Sequence, residues 1–282
     1  MIRDLKSELR GTIPDHILDQ VPRSFDVIGS KNRAVAIIEF PPELEDYDEH
    51  VAQAIMKLQR SVVSVLGKGS ARRGDFRTRK YRLMAGDEDT EVIHKESGCL
   101  YRVDPKKTYF SSRESSERER ISASSRDGEK VLVMFSGVGP FPICITKKHR
   151  NTRATAVELN PDAHNYCVEN VHLNGVEELV TPILGDVREV CSEFDMRFDR
   201  ILMPLPKGAH RFLDVAVPIL KPGGVLHFYH WAPKDNLYGE AMKLVTDAFQ
   251  ADAREVEFTG FQKVSQYSPG YWKVRVDARA QT

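Results

Sequence analysis

No two cysteines in this chain stand close enough in sequence to read as a metal or redox pair. Cys99, Cys144, Cys167 and Cys191 are widely spaced, with no C-x-x-C among them. That excludes a zinc ribbon and a disulfide framework, and it suits a reducing compartment in which thiols pack as small hydrophobes. An excess of either charge is lacking as well, since 41 Lys and Arg balance 41 Asp and Glu. Net charge therefore argues neither for nor against a nucleic-acid partner, which would have to be met by a local patch. No leader-like segment opens the chain, and no apolar run approaches the ~20 residues that span a bilayer. Repeats and low-complexity tracts are also missing. His94 and His230 are isolated, with no second ligand at zinc spacing, so structural roles and no catalytic metal are expected. The 282 residues read as a cytoplasmic protein without membrane contact, long enough for two modest domains.

The chain changes character near residue 120. Before it, strand-like runs at Val35–Phe40, Val62–Leu66 and Leu100–Val103 accompany one helical segment over Tyr47–Arg60. In that segment Val51, Ile55 and Leu58 fall at helical spacing. This predicts a small α+β domain over residues 1–112. The polar stretch Ser111–Lys130 reads as an exposed helix leading into a loop and marks the junction. From there the pattern is β-α-β. Val131–Phe135 is a continuous apolar run, as a buried parallel strand requires. Strands are expected at Thr152–Leu159, Thr181–Leu184, Arg200–Met203, Gly224–His230 and Trp272–Ala278. Helices are expected at Pro142–Lys148, Pro161–Asn174, His210–Leu220 and Leu237–Ala251. Alternating strands and helices predict an α/β, Rossmann-like doubly wound sheet over residues 113–282.

Three strand ends carry the ligand signal. Phe135-Ser136-Gly137-Val138-Gly139-Pro140-Phe141 follows the first strand, and glycines at such a turn let backbone approach a ligand closely. By itself G-x-G also fits an ordinary turn. Glu158, about 20 residues on, ends the next strand, where a carboxylate accepts ribose hydroxyls. Asp186 ends the third, where a side chain can face an adenine amino group. Three residues after Gly139 stands Pro142, not the third glycine of a dinucleotide-binding turn, which favours a methyltransferase over a dehydrogenase. The loop Met203-Pro204-Leu205-Pro206-Lys207 is rigid. It reads equally as a strand terminator or as a carbonyl-lined wall.

Positive charge is concentrated locally. Arg60, Lys68, Arg72, Arg73, Arg77, Arg79, Lys80 and Arg82 are opposed in sequence by Asp75 alone, a patch suited to RNA phosphates.

Taken together, Phe135–Phe141, Glu158–Pro161, Gly185–Glu189 and Met203–His210 resemble the archaeal and eukaryotic tRNA (guanine-37-N1)-methyltransferase family. So do Pro22–Gly29, Lys68–Arg79, Ile93–Glu96, Thr108–Arg113 with Glu117-Arg118, and Ser268-Pro269-Gly270, in one collinear order along nearly the whole chain. The resemblance implies a Rossmann-like methyltransferase domain behind a smaller RNA-facing domain, acting as a monomer on the tRNA anticodon stem-loop. S-adenosylmethionine would be bound by Phe135, Gly137, Gly139, Pro140, Glu158, Leu159, Asp186, Val187, Pro204 and Pro206. Tyr109 and Arg113 would shape the cofactor and base pocket, and Lys68, Arg72, Arg73 and Arg79 would meet RNA. Arg77 would hold the target guanine and Glu117 would serve as general base. In isolation, Glu117 within Ser-Glu-Arg-Glu-Arg reads as an ordinary solvated carboxylate. Three departures from the family pattern stand out. An additional N-terminal module that grips the tRNA elbow is unmatched, Val133 replaces an Asp, and Pro204-Leu205-Pro206 replaces Asn-Leu-Pro. Relatives with altered loops act on wyosine intermediates of tRNA, by methylation or by aminocarboxypropyl transfer.

Overall fold

The computed structural model describes residues 4–69 and 79–281, with Tyr267 by its backbone alone. The chain divides into two compact units, Met1–Ser112 and Arg113–Thr282. In the first, helices α1 (Leu5–Leu9) and α2 (Asp15–Leu18) precede strands β1 (Asp26–Gly29) and β2 (Ala34–Ile38). Helix α3 (Asp48–Leu58) then leads to β3 (Val62–Lys68), and β4 (Tyr81–Gly86) follows. The four strands form one sheet in chain order, parallel only between β2 and β3. The helical spacing of Val51 and Ile55 buries both against Ala36, Ile38 and Val65, with Leu58 at the margin of the core. Strands β5 (Val92–Glu96) and β6 (Cys99–Val103) pair as an antiparallel ribbon.

The second unit opens with α4 (Ser115–Ser124), β7 (Lys130–Met134), α5 (Pro140–Lys148), β8 (Arg153–Glu158), α6 (Pro161–Leu173) and β9 (Val180–Leu184). It continues with α7 (Val187–Ser192), β10 (Phe198–Met203), α8 (Leu213–Ala216), β11 (Leu220–Pro233), α9 (Gly239–Ala251), β12 (Val256–Ser268) and β13 (Tyr271–Ala280). Its seven-stranded sheet has the order β12-β13-β11-β10-β7-β8-β9. The five strands from β11 to β9 run parallel, and β13 and β12 are antiparallel additions. The α/β architecture is as expected, with a mixed sheet.

Four expectations need correction. The helix expected in Ser111–Lys130 is present as α4, but it is not exposed all round, because one face buries Glu117, Arg118, Ile121 and Ser122. The helix expected over His210–Leu220 is only a 3-10 turn, Ala209–Phe212, and the four-residue α8. Pro218 lacks the N–H that a longer helix would need there. Strand β11 is longer than expected at both ends, and β12 was not anticipated. Along β12 exposed and half-buried residues alternate, as on an edge strand, with too few apolar side chains to announce it.

One face of the β10–β11–β13 region explains the burial of α4. Leu226, Phe228, Val276 and Ala278 join the apolar core with Val245 and Phe249 of α9. The alternate residues are charged or polar, and they too are buried: His227, Tyr229, Lys273, Arg275 and Arg200. They form a chain of ion pairs beneath α4. Arg200 donates to both oxygens of Glu129 at 2.7 and 2.9 Å, to the Ser124 carbonyl at 2.9 Å, and to His227 Nε2. His227 Nδ1 meets Asp277 at 2.6 Å, and Asp277 receives Nε of Arg275 at 2.7 Å. Lys273 Nζ lies 2.9 Å from each oxygen of Glu114, the residue before α4. Burial lowers the basicity of His227, so the imidazole is neutral, accepting from Arg200 and donating to Asp277. Burial works to raise the Asp277 carboxyl, but His227 and Arg275 outweigh it and hold it well below the ordinary aspartate range.

Asp277→Asn removes the anion shared by His227 and Arg275 and is expected to lower the unfolding free energy at neutral pH by about 3–5 kcal/mol, measured in urea. The native carboxyl titrates below the unfolded one. Its contribution is therefore complete above the unfolded value of ~3.9 and shrinks as pH falls toward the native one. A loss that stays constant as the solution is acidified through that window would contradict this account.

Candidate active site

The parallel strands end at one rim. In the strand register Ile183 pairs with Val157, Val157 with Met134, Met203 with Phe228 and Phe228 with Val276. The next residue on each strand belongs to the rim: Leu184, Glu158, Phe135, Pro204, Tyr229 and Arg275. Of these, Glu158 pairs directly with Leu184 and Tyr229 with Arg275. Ligands of open α/β sheets bind at such carboxyl ends.

The turn after β7 is built for close approach. Phe135 sits at φ 59°, a left-handed conformation unusual for a bulky residue, and its ring meets Phe212 edge-on at 5.0 Å. Gly137 and Gly139 follow at φ 56° and 85°. Gly139 caps α5, whose first residue is Pro140. A Cβ on Gly139 would stand 2.7 Å from Cys167 Sγ, so the turn accepts no side chain there. Burial, reinforced by the charge of Glu158, pushes the Cys167 thiol up to about 12, leaving it an inert packing group.

Glu158 ties the turn to the next strand. Its Oε2 accepts from the Gly137 N–H at 2.7 Å and its Oε1 from the Asn160 N–H at 2.9 Å. Burial raises its carboxyl above the ordinary glutamate range, against the pull of the Asn160, Gly137 and Leu159 N–H groups. Leu159 and Leu184 on either side are apolar and exposed at 39% and 49%, an arrangement suited to a flat aromatic ring. Asp186 is half-buried, and its Oδ1 caps α7 through the Arg188 N–H at 2.7 Å. Val187 is buried in the core beneath it. Pro204 is half-buried and Pro206 buried in the loop after β10.

Glu117 differs most from its sequence expectation. It is not a solvated carboxylate, for only 1% of the residue is exposed. Oε1 accepts from the Tyr229 hydroxyl at 2.8 Å and from Arg275, and Oε2 accepts from Arg120 at 2.8 Å. The Tyr229 ring lies 6.2 Å from Phe141, the second residue of α5, so Glu117 is linked by contacts to the glycine turn. Helix α4 is also held to α5 directly, by the Ser122 hydroxyl donating to the Cys144 carbonyl at 3.1 Å. Tyr229 and Arg275 were not singled out from the sequence. The only signal for Arg275 was the Lys-Val-Arg-Val-Asp alternation of Lys273–Asp277, which reads as a half-solvated strand.

The remaining candidates belong to the first unit, open the second, or lie outside the described residues. Arg113 is exposed at the start of the second unit, and Tyr109 is half-buried in the first. Arg72, Arg73 and Arg77 lie outside the described residues. Lys68 pairs with Glu39 at 3.2 Å and Arg82 with Asp48 at 2.9 Å, so the basic patch is opposed by more acids than Asp75. Arg79 is half-buried, with its Nε buried and lacking a partner. His94 has a structural place, accepting from the Gly29 N–H at 3.1 Å. Among the described residues no helix is long and apolar enough to cross a membrane. Nor do the described residues contain a group of three or more His, Cys, Asp or Glu able to hold a metal.

Comparison with known proteins gives this arrangement a family context. A sequence profile of the TRM5/TYW2 methyltransferase domain matches residues 92–258, and one of the TYW2 N-terminal domain matches residues 5–90. A tRNA (guanine(37)-N(1))-methyltransferase, Trm5b of Pyrococcus abyssi, is 38% identical over 95% of this chain and 78% of its own. The crystal structure of that protein has a TM-score of 0.85, covering 96% of this chain and 78% of that one. A Pyrococcus horikoshii tRNA(Phe) (4-demethylwyosine(37)-C(7)) aminocarboxypropyltransferase is 30% identical over 99% of this chain and 95% of its own. The structure of Methanocaldococcus jannaschii TYW2 in complex with AdoMet is 27% identical, with a TM-score of 0.67, covering 92% of this chain and 99% of that one.

Gly139→Ala should destabilise the protein by about 1–3 kcal/mol, because a Cβ is forced both into a left-handed conformation and against Cys167. Chemical denaturation of the purified variant measures this. Stability equal to the parent's would mean that the turn has room the structure does not show.

Proposed function

The chain belongs to the TRM5/TYW2 methyltransferase family, and from that premise we propose that it transfers the methyl group of S-adenosylmethionine to N1 of guanosine 37 in tRNA, beside the anticodon. The observation that carries this reading is the shared rim, where the glycine turn and Glu158 stand in line with Tyr229, the residue bonded to the buried Glu117.

The residues present fit the cofactor. The turn at Gly137 and Gly139 keeps to backbone thickness, and Glu158 offers an anionic acceptor for ribose hydroxyls. Leu159 and Leu184 provide apolar walls for the adenine. Phe135, Pro140, Asp186, Val187, Pro204 and Pro206 complete the proposed cofactor set, with Tyr109 and Arg113 as contributors. When bound, S-adenosylmethionine supplies an electrophilic methyl on a sulfonium whose leaving group is neutral.

The work left to the protein is positioning and removal of one proton. N1 of guanine is protonated at neutral pH and becomes a good nucleophile only when that proton leaves. Glu117 is the proposed acceptor, and Arg77 the cation that meets charge developing on O6. Held by the glycine turn and Glu158, S-adenosylmethionine would supply the methyl group that the deprotonated N1 accepts, with the neutral thioether as leaving group. Lys68, Arg72, Arg73 and Arg79 are proposed phosphate contacts to the anticodon stem-loop. In this reading the enzyme works as a cytoplasmic monomer and uses no catalytic metal.

A second reading has specific support: the match of residues 5–90 to the TYW2 N-terminal domain, together with Pro204 in place of the family Asn. In it the chain acts on a wyosine intermediate at the same tRNA position, by methylation or by aminocarboxypropyl transfer. Mass spectrometry of nucleosides from G37 and A37 transcripts separates the two. Gain of one methyl group on guanosine, and none with A37, is the expected result. A product carrying an aminocarboxypropyl group, or activity on a wyosine-containing tRNA alone, would replace the first reading with the second.

Two further outcomes are expected. Glu117→Gln should leave tRNA binding intact and slow single-turnover methyl transfer by roughly 10²–10⁴-fold. A rate within a few fold of the parent's would remove Glu117 from the chemistry. The Glu158 carboxyl takes up its proton at a higher pH in the folded chain than in the unfolded one. Its ionised form therefore opposes folding at neutral pH, and acidification through the raised value relieves that penalty while abolishing the anionic acceptor. Calorimetric affinity for S-adenosylmethionine should accordingly weaken before the ordinary glutamate range near ~4.3 is reached. Affinity that holds constant down to that range would exclude the ribose-gripping role.

A further inference from the structure

The two oxygens of Glu117 have unlike surroundings. Oε1 receives the Tyr229 hydroxyl at 2.8 Å and the Arg275 guanidinium. Both donors come from the sheet and are fixed from behind. Arg275 is gripped by Asp277, through Nε at 2.7 Å and a second nitrogen at 3.1 Å. Tyr229 is fully buried, between Phe141 on one side and the Lys273 ammonium 4.9 Å from its ring, and Lys273 is itself paired with Glu114. Oε2 has a different partner. Among the described residues it receives Arg120, one turn further along α4, whose side chain is 43% exposed.

We infer that Tyr229 and Arg275 are positioning residues that pin Oε1 of Glu117, and that Oε2, which among the described residues meets the partly exposed Arg120, is the oxygen that takes the proton from the target base. This rests on the function proposed above and specifies how the same site works. Neither partner of Oε1 can itself receive a proton in the reaction. A guanidinium is already fully protonated. Burial, and then the charge of Glu117, hold the Tyr229 phenol far above its ordinary range, so it stays a donor. Oε1 thus has two permanent donors and its geometry is set by the sheet. Among the described residues Arg120 pairs with Glu117 alone, and RNA brings phosphates that offer its guanidinium an alternative anion. Swinging Arg120 away uncovers Oε2 without disturbing Oε1.

The test is the pH dependence of single-turnover methyl transfer to a G37 transcript, with thermal melts and S-adenosylmethionine calorimetry as controls. Tyr229→Phe and Arg275→Lys each weaken the hold on the anion at Oε1. Each should move the acid limb of the pH–rate profile to higher pH, by about one pH unit for Tyr229→Phe, the scale of one hydrogen bond to a charged acceptor. Cofactor affinity should stay at the parent's value. Should Arg275→Lys fail to fold, Tyr229→Phe alone decides, since it removes one oxygen and no packing volume to speak of. A folded Tyr229→Phe variant whose rate falls equally at every pH would overturn the inference and leave the proposed function standing. Parent-like rates in Glu117→Gln would instead reject the base assignment on which both depend.

Discussion

Charged side chains on a buried sheet face need partners, and that requirement organises the catalytic unit. Strands β11 and β13 place His227, Tyr229, Lys273, Arg275 and Asp277 on the face opposite the apolar core. All but the half-buried Asp277 are buried, so the charges among them need partners. Glu114, Glu117 and Glu129 supply the opposing charges from the segment that precedes β7, and Arg200 joins the chain from β10. Such layers seldom add stability over a well-packed apolar equivalent, but breaking one member leaves an unpaired buried charge. Their effect here is placement. The pairs made by Glu114 and Glu117 hold α4 against the sheet.

That docking decides where Glu117 goes. Its carboxylate contacts Tyr229, which is in register with the strand tips that carry the glycine turn and Glu158. A residue on a helix outside the βα alternation is thus brought level with the candidate cofactor site by ion pairs made to the sheet. The glycine turn, the candidate ribose-binding acid and Tyr229, which holds the candidate base on α4, are three features of one row across the sheet, read from β9 to β13. Parallel strands with matched ends generate such a row without any long-range coordination.

Family membership and local chemistry answer different questions. Membership assigns the chain to the TRM5/TYW2 methyltransferases, whose members named above include one acting on N1 of guanosine 37 and one transferring an aminocarboxypropyl group. Local chemistry narrows the choice. A buried carboxylate held by two sheet donors suits abstraction of a nitrogen-bound proton, whereas the diproline loop after β10 removes an amide side chain that the family places there. The substrate distinction therefore turns on a few atoms around one base, within a fold that both activities share.

The sequence alone determined the βα alternation, the glycine turn, Glu158 and Asp186, because each is encoded within a few consecutive residues: an apolar strand, a bend, an acid at the next strand end. The diproline loop and the helical face of Val51 and Ile55 were legible for the same reason. Only the tertiary structure decided the fate of Glu117. Ser-Glu-Arg-Glu-Arg on α4 and Lys-Val-Arg-Val-Asp on β13 each look like a solvated surface when taken singly, since local patterning registers charge but not what lies across from it. More than 150 positions apart (Glu117 to Arg275 spans 158), the two segments close on each other and neutralise their charges in the interior. Pairing between distant residues leaves no periodic trace in either, which is why the buried acid, its positioning tyrosine and its arginine emerged only from the fold.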